Sequence, residues 1–247
     1  MPGIKFKNQW IEEALLLSIP ATFTGDTIVI SPHPDDESLG CGGTIAALAK
    51  AGKKVDIIFV SDGSMSHPNS QKYTAPLLMQ LREREGLAAV NILGIPATQC
   101  YFMRLKDGAV PAIEAAGFAE AVSTMAKLLK KVQPQTIILP WKNDPHRDHK
   151  ASWQITVAAI ILAGLQVKLL HYLVWFWERG DTDHELLKSD LCKIDISSVV
   201  ESKQAAIKAH SSQLTNLIDD DTDGFILSPE VLDHFNGPFE LFFQIKN

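Results

Sequence analysis

Four short apolar runs with no polar alternation constrain this chain more than any other feature. Residues 26–31 read DTIVIS, 55–61 read VDIIFVS, 136–140 read TIILP, and 169–177 form a fourth apolar stretch. A strand with one wet face alternates polar and apolar residues. These runs do not, so they are expected to be strands buried on both faces. Helical stretches at 39–50, 77–93, 112–132 and 148–163 separate them; Gly52 and Gly94 stop the first two, and Pro134 follows the third. Buried strands alternating with helices predict an α/β fold: a Rossmann-like, doubly wound, mainly parallel sheet with helices on both faces. In such folds ligands bind outside the carboxyl ends of the strands. The 247 residues suit one domain, 1–247, with 180–247 as a less regular C-terminal part or cap.

Composition narrows the function. Hydrophobic residues make up 46% and charged residues 21%, which excludes a mostly disordered chain. Lys and Arg number 23 against 29 Asp and Glu, a net charge of −6, which argues against nucleic acid as a partner. Cys41, Cys100 and Cys192 form no CxxC, so neither a disulfide framework nor a cysteine zinc ribbon is expected. The longest membrane-like stretch, 157–165, falls short of the roughly 20 apolar residues a span needs. Glu12 and Glu13 interrupt any leader-like order near the start. The reading is a soluble, cytoplasmic protein without a membrane partner, its homo-oligomeric state left open.

Two clusters carry the chemistry. The first, His33-Pro34-Asp35-Asp36-Glu37, follows the first strand directly. Three adjacent acids stay ionised together only if water or a cation compensates them. His33 and Asp36 are three apart, so one tight turn can aim both at a metal ion. Asp35 between them is then available as general base. Helix capping would use one or two of these acids, not three beside a histidine. Gly40-Cys41-Gly42-Gly43 is no dinucleotide fingerprint, because Ile45 replaces the third glycine and the acids would repel a pyrophosphate. The glycines are read instead as allowing close helix–strand approach.

The second cluster, Asp144-Pro145-His146-Arg147-Asp148-His149, follows the TIILP strand and so lies on the same sheet edge. Asp144 is expected to cap a helix with Pro145 at its first position. His146 and His149 would share a helix face. One would bind metal beside His33 and Asp36, leaving a fourth position for water, and the other would face substrate. Zinc suits this set, and so does ferrous iron.

With these residues the chain resembles the PIG-L/LmbE-like family of zinc-dependent N-acetylglucosaminyl deacetylases. The likeness rests on HPDDESLGCGGTIA at 33–46, on Arg82-x-x-Glu85 leading to Leu93-Gly94, on Lys106-Asp107-Gly108, on PHRDH at 145–149 and on KQAAIKAHSSQ at 203–213. The resemblance implies that His33, Asp36 and His149 hold zinc, or Fe²⁺, and that Asp35 is the general base on a zinc-bound water. It implies that His146 is a general acid or electrostatic stabiliser, that Arg82 and Asp107 hold sugar hydroxyls, and that Asp148 and Glu37 stand behind the ligands and orient them. The implied substrate is a small amino sugar bearing an N-acetyl group, or its conjugate. Asp144 falls where the mycothiol branch of the family carries a tyrosine.

Other readings stay beside this one: a metal hydrolase of another amide or of a phosphoester, and a non-catalytic sugar- or metal-binding module. Asp35 and His146 speak against the module. Asp219 to Glu230 fits a calcium-loop pattern, but Pro229 sits where the exiting helix should begin, so an acidic surface loop is expected. Trp175-Phe176-Trp177 reads either as core or as a rim for sugar.

Overall fold

A computed structural model describes residues 2–179 and 191–244. The elements run α1 (Pro2–Glu13), β1 (Leu15–Leu17), α2 (Ile19–Thr22), β2 (Thr27–Ser31), α3 (Asp36–Lys50), β3 (Val55–Ser61), α4 (Ala75–Ile92), β4 (Cys100–Leu105) and α5 (Phe118–Val132). They continue with β5 (Thr136–Pro140), α6 (Arg147–Ala163), β6 (Lys168–Tyr172), α7 (Phe176–Arg179), β7 (Leu191–Asp195), α8 (Val200–Ala209), α9 (Pro229–Asp233) and β8 (Phe239–Gln244). The strands form one sheet in the order β1-β7-β8-β6-β5-β2-β3-β4. All neighbours are parallel except β8, which runs antiparallel between β6 and β7. The predicted doubly wound, mainly parallel fold is therefore observed.

The uninterrupted apolar strands are explained by two cores. Val29, Ile57, Phe59 and Ile138 face one side, against Leu39, Ile45 and Leu48 of α3, Ala89 and Val90 of α4, and Ala206 and Ile207 of α8. Ile28, Ile30, Ile58, Val60, Ile137 and Leu139 face the other, against α5 and α6. Each fully buried branched side chain contributes about 1.5–3 kcal/mol.

The glycines after the first cluster do permit close approach. A Cβ on Gly40 would stand 2.2 Å from the Tyr172 ring, and one on Gly43 2.4 Å from Ile196. The helix is also kinked at Cys41, whose φ is −148°. The N–H groups of Gly43 and Thr44 donate to the Glu240 carboxylate at 2.8 Å each, and the Lys203 ammonium meets that carboxylate at 2.6 Å. The 203–213 segment is thus fastened through Glu240 to the middle of α3.

Three expectations are corrected. The fourth strand ends at Tyr172, and Phe176–Arg179 turns helical; Phe176 and Trp177 are buried while Trp175 is not. Helix α5 begins at Phe118 rather than at 112, because Gly117 takes the left-handed conformation at its N-cap. His146, not Asp144, caps α6, its ring accepting from the Asp148 N–H. Part of the predicted less regular C-terminal stretch, 180–190, lies outside the described residues. No helix among the described residues is long and apolar enough to cross a membrane.

His171 on β6 gives the fold a pH dependence. Its Nε2 accepts from the Trp153 indole at 3.1 Å and its Nδ1 faces the Phe243 carbonyl of β8 at 3.2 Å. Burial pushes its pKa down to about 4. The unfolded chain binds a proton near pH 6.5 that the folded protein refuses. Stability is therefore complete above about pH 6.5 and falls by about 3 kcal/mol as the pH drops towards 4. Urea midpoints between pH 7 and 4.5 should fall in the wild type. They should fall less steeply in His171→Gln, and parallel slopes would remove His171 as the cause.

Candidate active site

Four adjacent strands, β5, β2, β3 and β4, end on one edge, and each releases a loop there. Strand β2 delivers 33–37, β5 delivers 144–149, β3 delivers 63–66, and β4 delivers Asp107 and Gly108. This is the carboxyl edge on which the site was expected, and the strand order makes it a switch point: β3 continues on one side of β2 and β5 on the other. A cavity of about 280 Å³ opens there, lined among others by His33, Asp35, Asp36, Arg82, Asp107 and His146.

His33 Nδ1 lies 3.0 Å from Asp36 Oδ2, and His149 Nε2 lies 3.1 Å from that same oxygen. Donor atoms about 2.0–2.1 Å from one tetrahedral ion stand about 3.3 Å apart. Behind each ring is a carboxylate. His33 Nε2 faces Asp107 Oδ1 at 3.3 Å and Asp148 Oδ2 at 3.4 Å, while His149 Nδ1 faces Asp144 Oδ1 at 3.5 Å. Both nitrogens of His149 are fully buried, yet neither makes a well-aligned hydrogen bond. That is how a metal-binding imidazole with a supporting carboxylate is set up. The residues fit a divalent cation.

Two overlapping groupings also bring ligand atoms within 4.8 Å of one another: His33 with His146 and His149, and His33 with Asp107 and Asp148. In the second, Asp148 already accepts from the Gly108 N–H at 2.7 Å and Asp107 from the Met65 N–H at 2.9 Å. Those carboxylates stand behind His33, whereas in the first grouping His33 and His149 both meet Asp36 Oδ2.

Charge follows the geometry. Burial alone would lower the pKa of His149, but Asp36 and Asp144 outweigh it and lift it to about 9. Burial would likewise lower His33, yet its hydrogen bonds to Asp107, Asp148 and Asp36 raise it well above the ordinary value. Burial would raise Asp36, but the two imidazoles hold it well below the usual carboxylate range. Asp35 differs: burial raises it to about 6, against the pull of Arg82. His146 is pushed down to about 4 by burial and by the neighbouring histidines.

Asp35 is held in a strained conformation. Its φ of +151° is rare for a residue with a side chain and costs on the order of 1–3 kcal/mol. Two neighbours maintain it. Glu37 Oε2 accepts the Asp35 N–H at 3.1 Å, and Arg82 donates to Asp35 Oδ2 at 2.9 Å. Glu37 also accepts from Ser31 at 2.9 Å and Ser38 at 2.7 Å, and its other contact is His210 Nε2 at 3.1 Å. Arg82, expected to hold a sugar hydroxyl, also donates to the Pro34 and Gly63 carbonyls, while its Nε is buried without a hydrogen-bond partner.

Sequence reasoning missed the roles of Asp144 and Gln213 and left Trp175 open between core and sugar rim. Asp144, read as a cap, stands behind His149, and its signal was only its place five residues before that histidine. Gln213, quoted in the C-terminal segment without a role, lines the cavity. Trp175 lines it too, its ring 6.3 Å from that of His146. The acidic 219–223 loop does not gather its side chains as a calcium loop would. Asp220 accepts from the N–H groups of Gln71 and Lys72, and Asp221 from that of Asn69. The loop clasps 69–72 and so fixes Phe225, whose N–H donates to the Ser66 carbonyl at 2.7 Å.

Comparisons with known proteins place the chain in a family. The family described as PIG-L, GlcNAc-PI de-N-acetylase, matches residues 28–160, more than half of the chain. A diacetylchitobiose deacetylase of Thermococcus kodakarensis is 26% identical over 196 residues, covering 75% of this chain and 69% of its own. A 1D-myo-inositol 2-acetamido-2-deoxy-alpha-D-glucopyranoside deacetylase of a Mycobacterium species (strain KMS) is 25% identical over 229 residues, covering 76% and 74%. The solved structure of the N,N'-diacetylchitobiose deacetylase of Pyrococcus horikoshii superimposes with a TM-score of 0.68 at 21% identity, covering 89% of this chain and 83% of that one.

Proposed function

The chain belongs to the PIG-L family, and on that premise we propose that it is a metal-dependent hydrolase that removes the N-acetyl group from an N-acetylglucosamine-type sugar or its conjugate. The observation that carries this is the meeting of His33 Nδ1 and His149 Nε2 on one Asp36 oxygen, with a carboxylate behind each ring. His33, Asp36 and His149 would hold the ion, zinc or ferrous iron. When bound there, the metal supplies carbonyl polarisation and a lowered water pKa.

The chain's own residues do the rest. Asp35 takes the proton of the attacking water, and burial has already raised its basicity to about 6. Arg82 and Glu37 keep that carboxylate in place. His146 divides the two roles expected of it. Its Nδ1 accepts from the Asp148 N–H at 3.2 Å, so in the neutral ring the proton sits on Nε2. With its pKa near 4 the ring is neutral at pH 7. It therefore serves as an N–H donor to the developing oxyanion, and Asp35 returns its proton to the leaving amine. Asp107 lines the cavity beside Asp35 and keeps the sugar-hydroxyl role together with Arg82.

Metal content and amine release should be measured on one sample before and after chelation, with N-acetylglucosamine and its disaccharide as substrates. One ion per chain is expected, with release that chelation removes and zinc or Fe²⁺ restores. A chain that takes up no metal, or hydrolysis indifferent to chelation, would overturn the reading.

A further inference from the structure

The cavity sits at the lower end of the roughly 300–1,000 Å³ usual for small-molecule sites, so at about 280 Å³ it has room for little more than one sugar. Whatever is joined to that sugar must lie at the mouth. The mouth is apolar and aromatic on one side. Trp175 passes from the His146 ring out to Phe225, whose ring meets it edge-on at 5.8 Å and 72°. Met65 and Leu227 also line the cavity. Phe225 and Met65 are 38% and 41% exposed, which is unusual for large apolar side chains on loops that are otherwise clasped in place.

Charge points the same way. The described lining residues include three carboxylates, Asp35, Asp36 and Asp107, against one guanidinium, Arg82. Arg82 is buried and already bound to Asp35 at 2.9 Å. A divalent ion would neutralise the floor but would leave no cationic side chain among the described lining residues for an acidic aglycone. A sugar ring, by contrast, offers an uncharged C–H face that suits an aromatic edge.

We propose that Trp175 and Phe225 form the aglycone subsite and that it takes an uncharged second sugar ring in preference to a carboxylate-bearing aglycone. This rests on the deacetylase reading above, and the experiment separates the two. The substrates are N-acetylglucosamine, N,N'-diacetylchitobiose and N-acetylglucosaminyl malate, and the variants are Phe225→Ala and Phe225→Tyr. Expected are a wild-type preference for the disaccharide over the malate conjugate and a loss of about tenfold in kcat/KM for the disaccharide in Phe225→Ala. Phe225→Tyr should restore most of that loss, and the monosaccharide should be hydrolysed alike by all three proteins. Equal losses on monosaccharide and disaccharide, or a wild-type preference for the malate conjugate, would overturn the subsite. If no substrate is hydrolysed, the deacetylase reading fails, and binding of the disaccharide by saturation-transfer NMR decides the subsite alone. Signal from the second ring that Phe225→Ala abolishes upholds it, and signal that is unchanged removes it.

Discussion

Asp35→Asn is expected to keep its metal ion and to lose at least about a hundredfold in kcat, the smaller end of what a positioned general base contributes. Asparagine keeps the shape of the side chain and tolerates positive φ, so the strained turn should survive. It can still accept from Arg82, but it cannot take a proton from water. His149→Ala should behave differently. Its ring is fully buried on Asp36 and Asp144, and its removal takes away a proposed ligand along with the link between the two loops. Metal analysis of both variants beside their kinetics checks the division of labour. If both lose metal equally, Asp35 is a ligand and the base lies elsewhere.

The second large effect concerns stability. Glu37 makes no contact with the cavity and is fully buried, yet one carboxylate joins Ser31, the Asp35 N–H, Ser38 and His210. Burial opposes its ionisation, but the His210 imidazole beside it holds its pKa below the ordinary value. Glu37→Ala would leave the Asp35 N–H without its acceptor and would take the carboxylate away from the buried His210 imidazole and from the Ser31 and Ser38 hydroxyls; Ser31 keeps only the His33 carbonyl, and Ser38 and His210 keep only each other. Breaking such a buried network costs about 3–5 kcal/mol. For a chain of this length that is a fall in Tm of roughly 10 °C or more. Activity should fall with it, because the Asp35 backbone loses one of its two restraints. Calorimetry at pH 7 decides; a Tm within about 2 °C of the wild type would show that Glu37 is dispensable to the fold.

How much of this could be read from sequence depended on where the signal lies. Strands β3 and β5 were legible to the residue and β2 to within one, because full burial leaves an uninterrupted apolar run. The ends of α3, α4 and α6 fell within a few residues. Strand β4 was missed, since Cys100–Leu105 lies at the sheet edge and is only partly buried. Strands β7 and β8 were missed for another reason: LCKID and FELFFQ mix charge with apolar residues, and their pairing is set by distant partners. At the site, the residues that touch the cavity floor sit in two compact motifs and were found. Those that support them, Asp144 behind His149 and Trp175 beside His146, are defined only once the chain has folded.

The strand order also sets a timetable for assembly. Strand β1 is made early, but among the described residues its sheet neighbour is β7, some 175 residues later. Strand β7 in turn reaches the rest of the sheet only through β8, which ends at Gln244. As the chain leaves the ribosome, β2 to β6 can pair among themselves while β1 waits. Until the last strand arrives, the β6 edge stays open, and the Lys203–Glu240 pair that fastens α3 cannot form. Contacts this far apart in sequence slow folding and expose unpaired edges to other chains. The loops that carry His33 and His149 hang from strands that can assemble first, yet the fastening of α3 behind them depends on the final strand.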